Sequence, residues 1–455
     1  MIYCLGIFIS FTVGFLLIRL LTGNRLNILL HILLALVLGF GIDGTAAFYT
    51  HIFLNQFNCF IPIGIEILGI CLLLFYSYKD NLKNISPKIK KTKRSSFLKT
   101  LLGDMKLTQN HWFGFLTLLL LTVPLAISAY HFPLGGWDAW SCWNLKAKFI
   151  FLGHENWKGM LAPGLWRSNT QYPLLWPLIN VWFWDLGGQF NQAAPMLNSI
   201  IFALLTAGIL LFGLIELTGM LVPSLSAAVI VTAIPFGVTL YISQYSDSLL
   251  GLFLLSAFTA LLLAEKYDIP KLKILSMVFL GLMSFTKNEG LIAAGIAALL
   301  IFWHERSHKD ELKNLIIAFF IALLPTIIFT LFMAPKNEAF INGLTSTDKP
   351  TNWSRLMVIF AYPWFEFISG KWNGFWLLAG IGILLAGKKL WQSTLGVIGL
   401  SLVLYFGVVM AYYAVNTFFE ISWWLSTTLS RILFALIPTI CLWIGLGLSP
   451  RRADS

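Results

Sequence analysis

Five charged residues stand at the ends of long apolar runs and could do chemistry there: Asp138, Asp247, Lys287, Glu289 and Arg431. A carboxylate can take a proton from a hydroxyl group, and lysine and arginine can hold the oxygens of a phosphate. Each residue also has a plainer interpretation. An Asp at a helix start is often an N-cap, and charges at a hairpin tip are often only solvated. Together, the five predict one polar site.

The segment 131–194 supplies further candidates, because Trp137, Trp140, Lys146 and Tyr172 lie in it. Aromatic rings can stack on a sugar or on an isoprenoid chain, and the ammonium group of Lys146 can hold a phosphate. A segment of this length between helices is usually functional or disordered, and its composition is not that of a disordered chain. The sequence therefore predicts a substrate-binding segment.

Two stretches of the same segment are predicted to lie at the membrane surface. In 139–152 apolar residues recur on one side, from Trp140 to Ile150, while Lys146 turns away, which predicts an amphipathic helix in the headgroup zone. The stretch 172–184 is nearly all apolar and aromatic, and it is predicted to lie against the membrane. At about 13 residues it is short for a span, and a crossing would invert everything that follows.

The composition excludes a soluble protein. Of the 455 residues, 58% are hydrophobic and 11% are charged, whereas a soluble domain has roughly 45–50% apolar and about 25% charged residues. Five cysteines occur without a CxxC pair or a regular spacing, which excludes a disulfide scaffold or a zinc module. The formal charge of +11 invites a nucleic-acid interpretation, but the basic residues follow the membrane topology instead.

Long apolar runs predict an all-α, polytopic integral membrane protein with about 13 transmembrane helices. Three of the runs fall short of the ~20 residues of a full span, so they could be tilted or broken. The runs are 2–21, 28–49, 59–78, 112–130, 195–217, 221–242, 246–265, 272–286, 289–303, 314–333, 373–387, 394–415 and 430–448.

The basic residues predict the orientation of these helices. Their densest cluster lies in 79–106, between the third and fourth runs. Placing that cluster in the cytoplasm puts the N-terminus outside, Arg451 and Arg452 inside, and the segments 131–194 and 334–372 outside. The first run lacks preceding basic residues, which predicts a retained helix rather than a cleaved signal peptide. The predicted location is the inner membrane of a bacterium, with the polar site on its periplasmic face.

Several motifs resemble those of the C-type glycosyltransferases. These polytopic enzymes take sugars from polyprenyl-phosphate carriers, and they include the protein O-mannosyltransferases and the lipid A aminoarabinose transferases. GGWDAWSCWNLKAKFIF followed by TQYPLLWPL is similar to their first external loop, and Asp138 falls on its essential Asp. SQYSDSLLGLF, TKNEG and SRILFALIP are similar to later motifs, and they place Asp247, Lys287 and Arg431.

The resemblance covers about 112–448 and implies a transfer reaction on the outer face. A hexose or pentose would move from a polyprenyl-phosphate donor to a glycan, lipid or protein acceptor, with Asp138 as general base. Residues 1–111 precede the usual start of the family and are predicted to form a three-helix extension with the basic loop; 449–455 would be a cytoplasmic tail. No cofactor is expected. A divalent metal is possible but not supported, because Asp247 lacks the paired acidic motif of the metal-dependent relatives.

Two alternatives remain open from the sequence. A transporter or flippase for an envelope precursor would also be polytopic, although transporters place their site at the bilayer midplane and often show repeated halves. Here the ionisable residues gather at helix ends and no repeat is visible. Asp43 and Glu66, in the N-terminal helices, could be protonated and bonded to each other or could line a path for the acceptor.

Overall fold

The computed structural model describes residues 2–22, 25–55, 58, 60–84, 108–336, 338–345 and 353–450. Most of the basic segment 79–106 and the tail residues Arg451 and Arg452, on which the predicted orientation depends, lie outside the described residues. Throughout the described part the chain forms α-helices joined by short π and 3-10 turns, without a strand.

The helices follow the apolar runs. In chain order they are α1 Ile2–Thr22, α2 Ile28–Leu54, α3 Phe60–Asn84, α4 Gln109–His131, α5 Asn144–Leu152, α6 Leu175–Gly187, α7 Ala193–Thr218, α8 Leu221–Ala233, α9 Pro235–Ile242, α10 Ser246–Tyr267, α11 Pro270–Ser284, α12 Asn288–His304, α13 Lys309–Ile328, α14 Glu338–Thr345, α15 Trp353–Ile368, α16 Phe375–Ala386, α17 Ser393–Val415 and α18 Ile421–Leu448.

Every predicted run falls on a helix, which confirms the all-α, polytopic membrane class. Among the described residues, 8 helices are long and apolar enough to cross a membrane, or 9 if the bent pair α8–α9 is one span. The predicted count of about 13 spans is therefore not confirmed.

The run 221–242 was predicted as one helix, and the structure breaks it. Helices α8 and α9 meet at an angle of 64°. Ile234 between them has an extended backbone, and Pro235 begins α9. Proline has no N–H to continue the ladder of helix hydrogen bonds and disfavours a helical residue before it, so the break falls where the sequence places it.

Helix α10 lies at the centre of the molecule. Its apolar window is fully buried, and α7, α11 and α18 pack around it. A helix that is apolar on every side needs neighbours on every side, and this arrangement supplies them. Because α10 carries Asp247 in its first turn, the packing also fixes the position of that carboxylate.

The stretch predicted to lie against the membrane, 172–184, is instead part of the protein interior. Its helix α6 packs against α1, α2, α5 and α7, and its residues from Leu175 to Trp184 are buried. The prediction was wrong because an all-apolar composition does not show whether lipid or protein covers the helix. The rest of 131–194 is ordered as predicted, in a π turn, α5 and two 3-10 turns.

Candidate active site

Arg431 joins two segments that lie far apart in the sequence. Its Nη1 donates to Asp138 Oδ2 at 2.6 Å, and its Nη2 donates to Asp247 Oδ2 at 2.7 Å. Its Nε also donates to Asp247 Oδ2, at 3.1 Å. Charge-assisted hydrogen bonds of this length are the strong ones in proteins. The segment 131–194, α10 and α18 therefore meet at one guanidinium group.

Arg431 was predicted to start the last helix, and this detail was wrong. Helix α18 begins at Ile421, so Arg431 lies about three turns into it. The helix starts earlier because the carboxylate of Glu420 accepts hydrogen bonds from the backbone N–H groups of Ser422 and Trp423, at 2.9 and 2.6 Å. These bonds satisfy two of the donors that a helix start leaves open.

Lys287 completes the other side of the cluster. Its Nζ lies 3.1 Å from Asp247 Oδ1 and 3.2 Å from Glu289 Oε1. Asp247 thus uses one oxygen for Lys287 and the other for Arg431. The side chains of Asp247 and Lys287 are only 3% and 5% exposed, so both charges are held in a desolvated place where electrostatic attraction is strong.

The N-cap interpretation of the two aspartates is wrong. Asp138 has a helical backbone (φ −67°, ψ −23°) and makes no capping hydrogen bond. Asp247 lies inside the first turn of α10, where Tyr245 is the cap residue. Both carboxylates form ion pairs with Arg431 instead.

Asp138 and Glu289 are the accessible carboxylates of the cluster. Each side chain is 23% exposed, against 14% for Arg431. The Oε2 atom of Glu289 is buried without a hydrogen-bond partner among the described residues. Asp138 and Glu289 can therefore contact a substrate, while Asp247 holds the two cations from behind.

Tyr172 closes the cluster on the side of Glu289. Its hydroxyl donates to Glu289 Oε1 at 3.4 Å, and its ring lies 5.7 Å from Lys287 Nζ. Burial and the Glu289 carboxylate raise the pKa of Tyr172. The phenol therefore stays protonated and acts as a hydrogen-bond donor.

Lys146 does not turn away from the protein, as the periodicity predicted. Its Nζ donates to the backbone carbonyls of Asn169 and Tyr172, at 2.6 and 3.1 Å, and only 1% of the residue is exposed. Burial lowers the pKa of Lys146. A π turn over Ala139–Trp143 precedes α5 and changes the register that a regular helix would give. Lys146 therefore ties the segment together through two backbone carbonyls, and its phosphate-binding role stays a prediction.

Trp137 and Trp140 lie beside Asp138 on the surface. They are 66% and 46% exposed, and their ring centroids are 4.3 Å apart. Trp140 therefore does not share the buried side of the helix with the residues that follow it. Two exposed indole rings next to a partly exposed carboxylate form a surface on which a flat apolar group or a sugar face can stack.

Tyr245 was missed by the sequence reasoning. Its ring lies 4.5 Å from the Arg431 guanidinium, and its hydroxyl accepts the backbone N–H of Asp138 at 3.4 Å. The signal was the glycine pair before Asp138. A Cβ at Gly136 would lie 2.6 Å from the Tyr245 hydroxyl, and Gly135 has φ +69°. Only glycine allows this approach.

In the described part of the chain, no group of three or more His, Cys, Asp or Glu side chains is placed to hold a metal ion. The carboxylates of the cluster are paired with lysine and arginine.

No protein-family profile and no curated protein matches the chain. Among solved structures, the chain is similar to ArnT from Cupriavidus metallidurans, which was crystallised bound to undecaprenyl phosphate. The TM-score is 0.44 at 13% sequence identity, and the match covers 76% of this chain and 61% of the other. The chain thus spans less than two thirds of that protein. At this level the likeness assigns no role to any residue here.

Proposed function

We propose that the protein is a glycosyltransferase that moves a sugar from a polyprenyl-phosphate carrier to an acceptor hydroxyl on the outer face of the membrane. The observation that supports this most is the pairing of an accessible carboxylate, Asp138, with a cation, Arg431, that a second carboxylate already holds in place. Deprotonation of the acceptor needs a base, and departure of the phosphate needs a cation nearby.

The proposed step is a direct displacement at the anomeric carbon. The acceptor oxygen forms the new bond to that carbon as the bond to the phosphate oxygen breaks. The bonding electrons leave with the carrier phosphate, and the proton of the acceptor passes to Asp138. The phosphate then carries the negative charge that the cations must stabilise.

The ion pairs explain how Arg431 can take part both in the deprotonation of the acceptor and in the departure of the phosphate. Asp138, Asp247 and Glu289 outnumber Lys287 and Arg431 by one charge. When Asp138 takes up a proton, its hold on Arg431 weakens and the cluster becomes neutral. Arg431 can then transfer its Nη1 donor to the leaving phosphate at the moment when the charge develops there.

The transfer is tested with purified protein in detergent, without an ion gradient. Membrane lipids carrying labelled polyprenyl-phosphate sugars serve as donor, and the release of free polyprenyl phosphate is measured. Mass analysis of envelope glycans from cells with and without the protein identifies the product. We expect release that depends on the protein. Movement of an intact carrier across vesicles without release would instead establish a flippase.

The outer location is part of the proposal and has its own test. Asn156, between α5 and α6, and Ser307, between α12 and α13, are both exposed. In a background without native cysteines, Asn156→Cys should react with a membrane-impermeant thiol reagent in intact cells. Ser307→Cys should react only after permeabilisation. The reverse pattern would put the site on the cytoplasmic face.

A further inference from the structure

Side-chain amides form an unbroken, buried chain of hydrogen bonds that ends next to the site. Its first member is Tyr3 in α1, and its last is Gln244 in the turn before α10. The four amides are at most 8% exposed. The bonds run from Tyr3 Oη to Asn198 Oδ1 (2.6 Å), Asn198 Nδ2 to Asn180 Oδ1 (2.9 Å), Asn180 Nδ2 to Asn144 Oδ1 (3.1 Å), Asn144 Nδ2 to Gln244 Oε1 (2.8 Å) and Gln244 Nε2 to Pro133 O (2.9 Å).

All hydrogen bonds of the chain donate in the same direction, and the acceptor at its last member determines that direction. The carbonyl of Pro133 can only accept, so the Gln244 amide must donate to it with Nε2 and accept with Oε1. Each earlier amide is then forced to donate towards Gln244 and to accept from the other side. At the beginning of the chain, the Tyr3 hydroxyl donates to the remaining acceptor, Asn198 Oδ1. Removing that hydroxyl leaves a buried acceptor unpaired.

The turn at the end of the chain needs such support. Gln244 has φ +58°, in the left-handed region that residues with a side chain seldom occupy. Hydrogen bonds on both sides of its amide hold it there. The same turn presents Tyr245 to Arg431 and the Ser243 carbonyl to the N–H of Gly136, at 3.0 Å. The turn therefore contacts Arg431 through Tyr245, and it contacts the segment that carries Asp138 through Gly136.

We propose that this chain of amides positions the site, with Gln244 and Asn144 as positioning residues and Tyr3 as the residue that completes them. The inference rests on the proposed transfer function. It gives the N-terminal helix α1 a role in the reaction, although α1 precedes the region that resembles the C-type glycosyltransferases. Tyr3 reaches the site through four side chains, without contact to either substrate.

Two variants test the proposal. Tyr3→Phe removes one hydroxyl far from the site, and Gln244→Gly keeps the left-handed turn while removing the amide. We expect kcat for transfer to fall by about 3–10-fold in Tyr3→Phe, the range that one lost hydrogen bond corresponds to. The fall should be larger in Gln244→Gly, because that variant loses the bonds to both Asn144 and Pro133. KM for the lipid donor should stay within about twofold, since the phosphate-binding cations are unchanged. Tyr130→Phe, at an exposed tyrosine of α4, is the matched control.

Hydrogen exchange gives a second readout that does not need activity. The backbone amides of 133–140 and 243–248 should exchange faster in Tyr3→Phe and Gln244→Gly than in wild type or Tyr130→Phe. If wild type transfers no sugar, the proposed function fails, while the exchange data still test the positioning. Wild-type kcat and wild-type exchange in both variants would overturn the proposal. A fall in kcat that Tyr130→Phe reproduces would overturn it as well.

Discussion

Two buried carboxylates of this protein, Asp247 and Asp43, have opposite surroundings. Asp247 faces two cations and uses both oxygens on them. Asp43, in α2, is 0% exposed and accepts a hydrogen bond from the Ser10 hydroxyl. Its other oxygen and both oxygens of Glu66 are buried without a hydrogen-bond partner among the described residues.

The difference separates a charged site from an uncharged one. A buried carboxylate is stable as an anion only when it is paired and hydrogen-bonded. Asp247 meets that condition. Asp43 and Glu66 do not, although their carboxyls lie close enough to interact. The hydrogen bond between Asp43 and Glu66 that the sequence suggested needs one of the two carboxyls to be protonated, and it stays a prediction.

The largest effect is expected for Asp138, a partly exposed carboxylate of the cluster. Asp138→Asn keeps the size of the side chain but cannot take a proton, so transfer should fall by about 10²–10⁴-fold. Donor binding and thermal stability should stay near wild type, because Asp138 is partly exposed. Asp268→Asn, at an exposed aspartate outside the cluster, is the control. Transfer at the wild-type rate would remove Asp138 from catalysis.

The next effect concerns stability. Asp247→Asn leaves Lys287 and Arg431 buried without their shared counter-charge, which should lower the free energy of unfolding by about 3–5 kcal/mol. Thermal unfolding in detergent measures it. If the variant is as stable as wild type, water or other groups already compensate the charges of the two cations. Asp247 would then be no more important for stability than Asp43.

A smaller effect is expected for Lys287→Ala. If Lys287 contacts the carrier phosphate in the desolvated site, kcat/KM for the lipid donor should fall by the equivalent of about 2–5 kcal/mol. The exposed Lys158, in the segment 131–194, gives the matched control Lys158→Ala. Unaltered donor kinetics would leave Lys287 with the structural task of holding Asp247.

The smallest effect is expected for Asp43→Asn. If the carboxyl is neutral, an amide of the same shape replaces it and keeps an acceptor for Ser10. The free energy of unfolding should then change by no more than about 1 kcal/mol, and transfer should be unchanged. A loss as large as that of Asp247→Asn would show that Asp43 carries a charge whose partner remains to be found.

The grouping of Asp138, Asp247, Lys287 and Arg431 could be predicted because ionisable residues are rare in an apolar chain, where they usually face a partner or a polar site. The long helices followed from the apolar runs, but α14 and α15 lie in the segment 334–372, for which the sequence predicted no helix. The surroundings of Lys146 could not be predicted, because its partners are backbone carbonyls that no sequence pattern marks. The interior position of α6 was hidden for a similar reason, since lipid and protein select the same side chains.

The early start of α18 restricts the directions from which a substrate can approach the site. Ten residues separate Ile421 from Arg431, and at about 1.5 Å per residue they rise roughly 15 Å along the helix axis above the guanidinium group. That length of helix screens one flank of the site. In the proposed transfer, the acceptor therefore has to reach Asp138 from a side that this part of α18 leaves open.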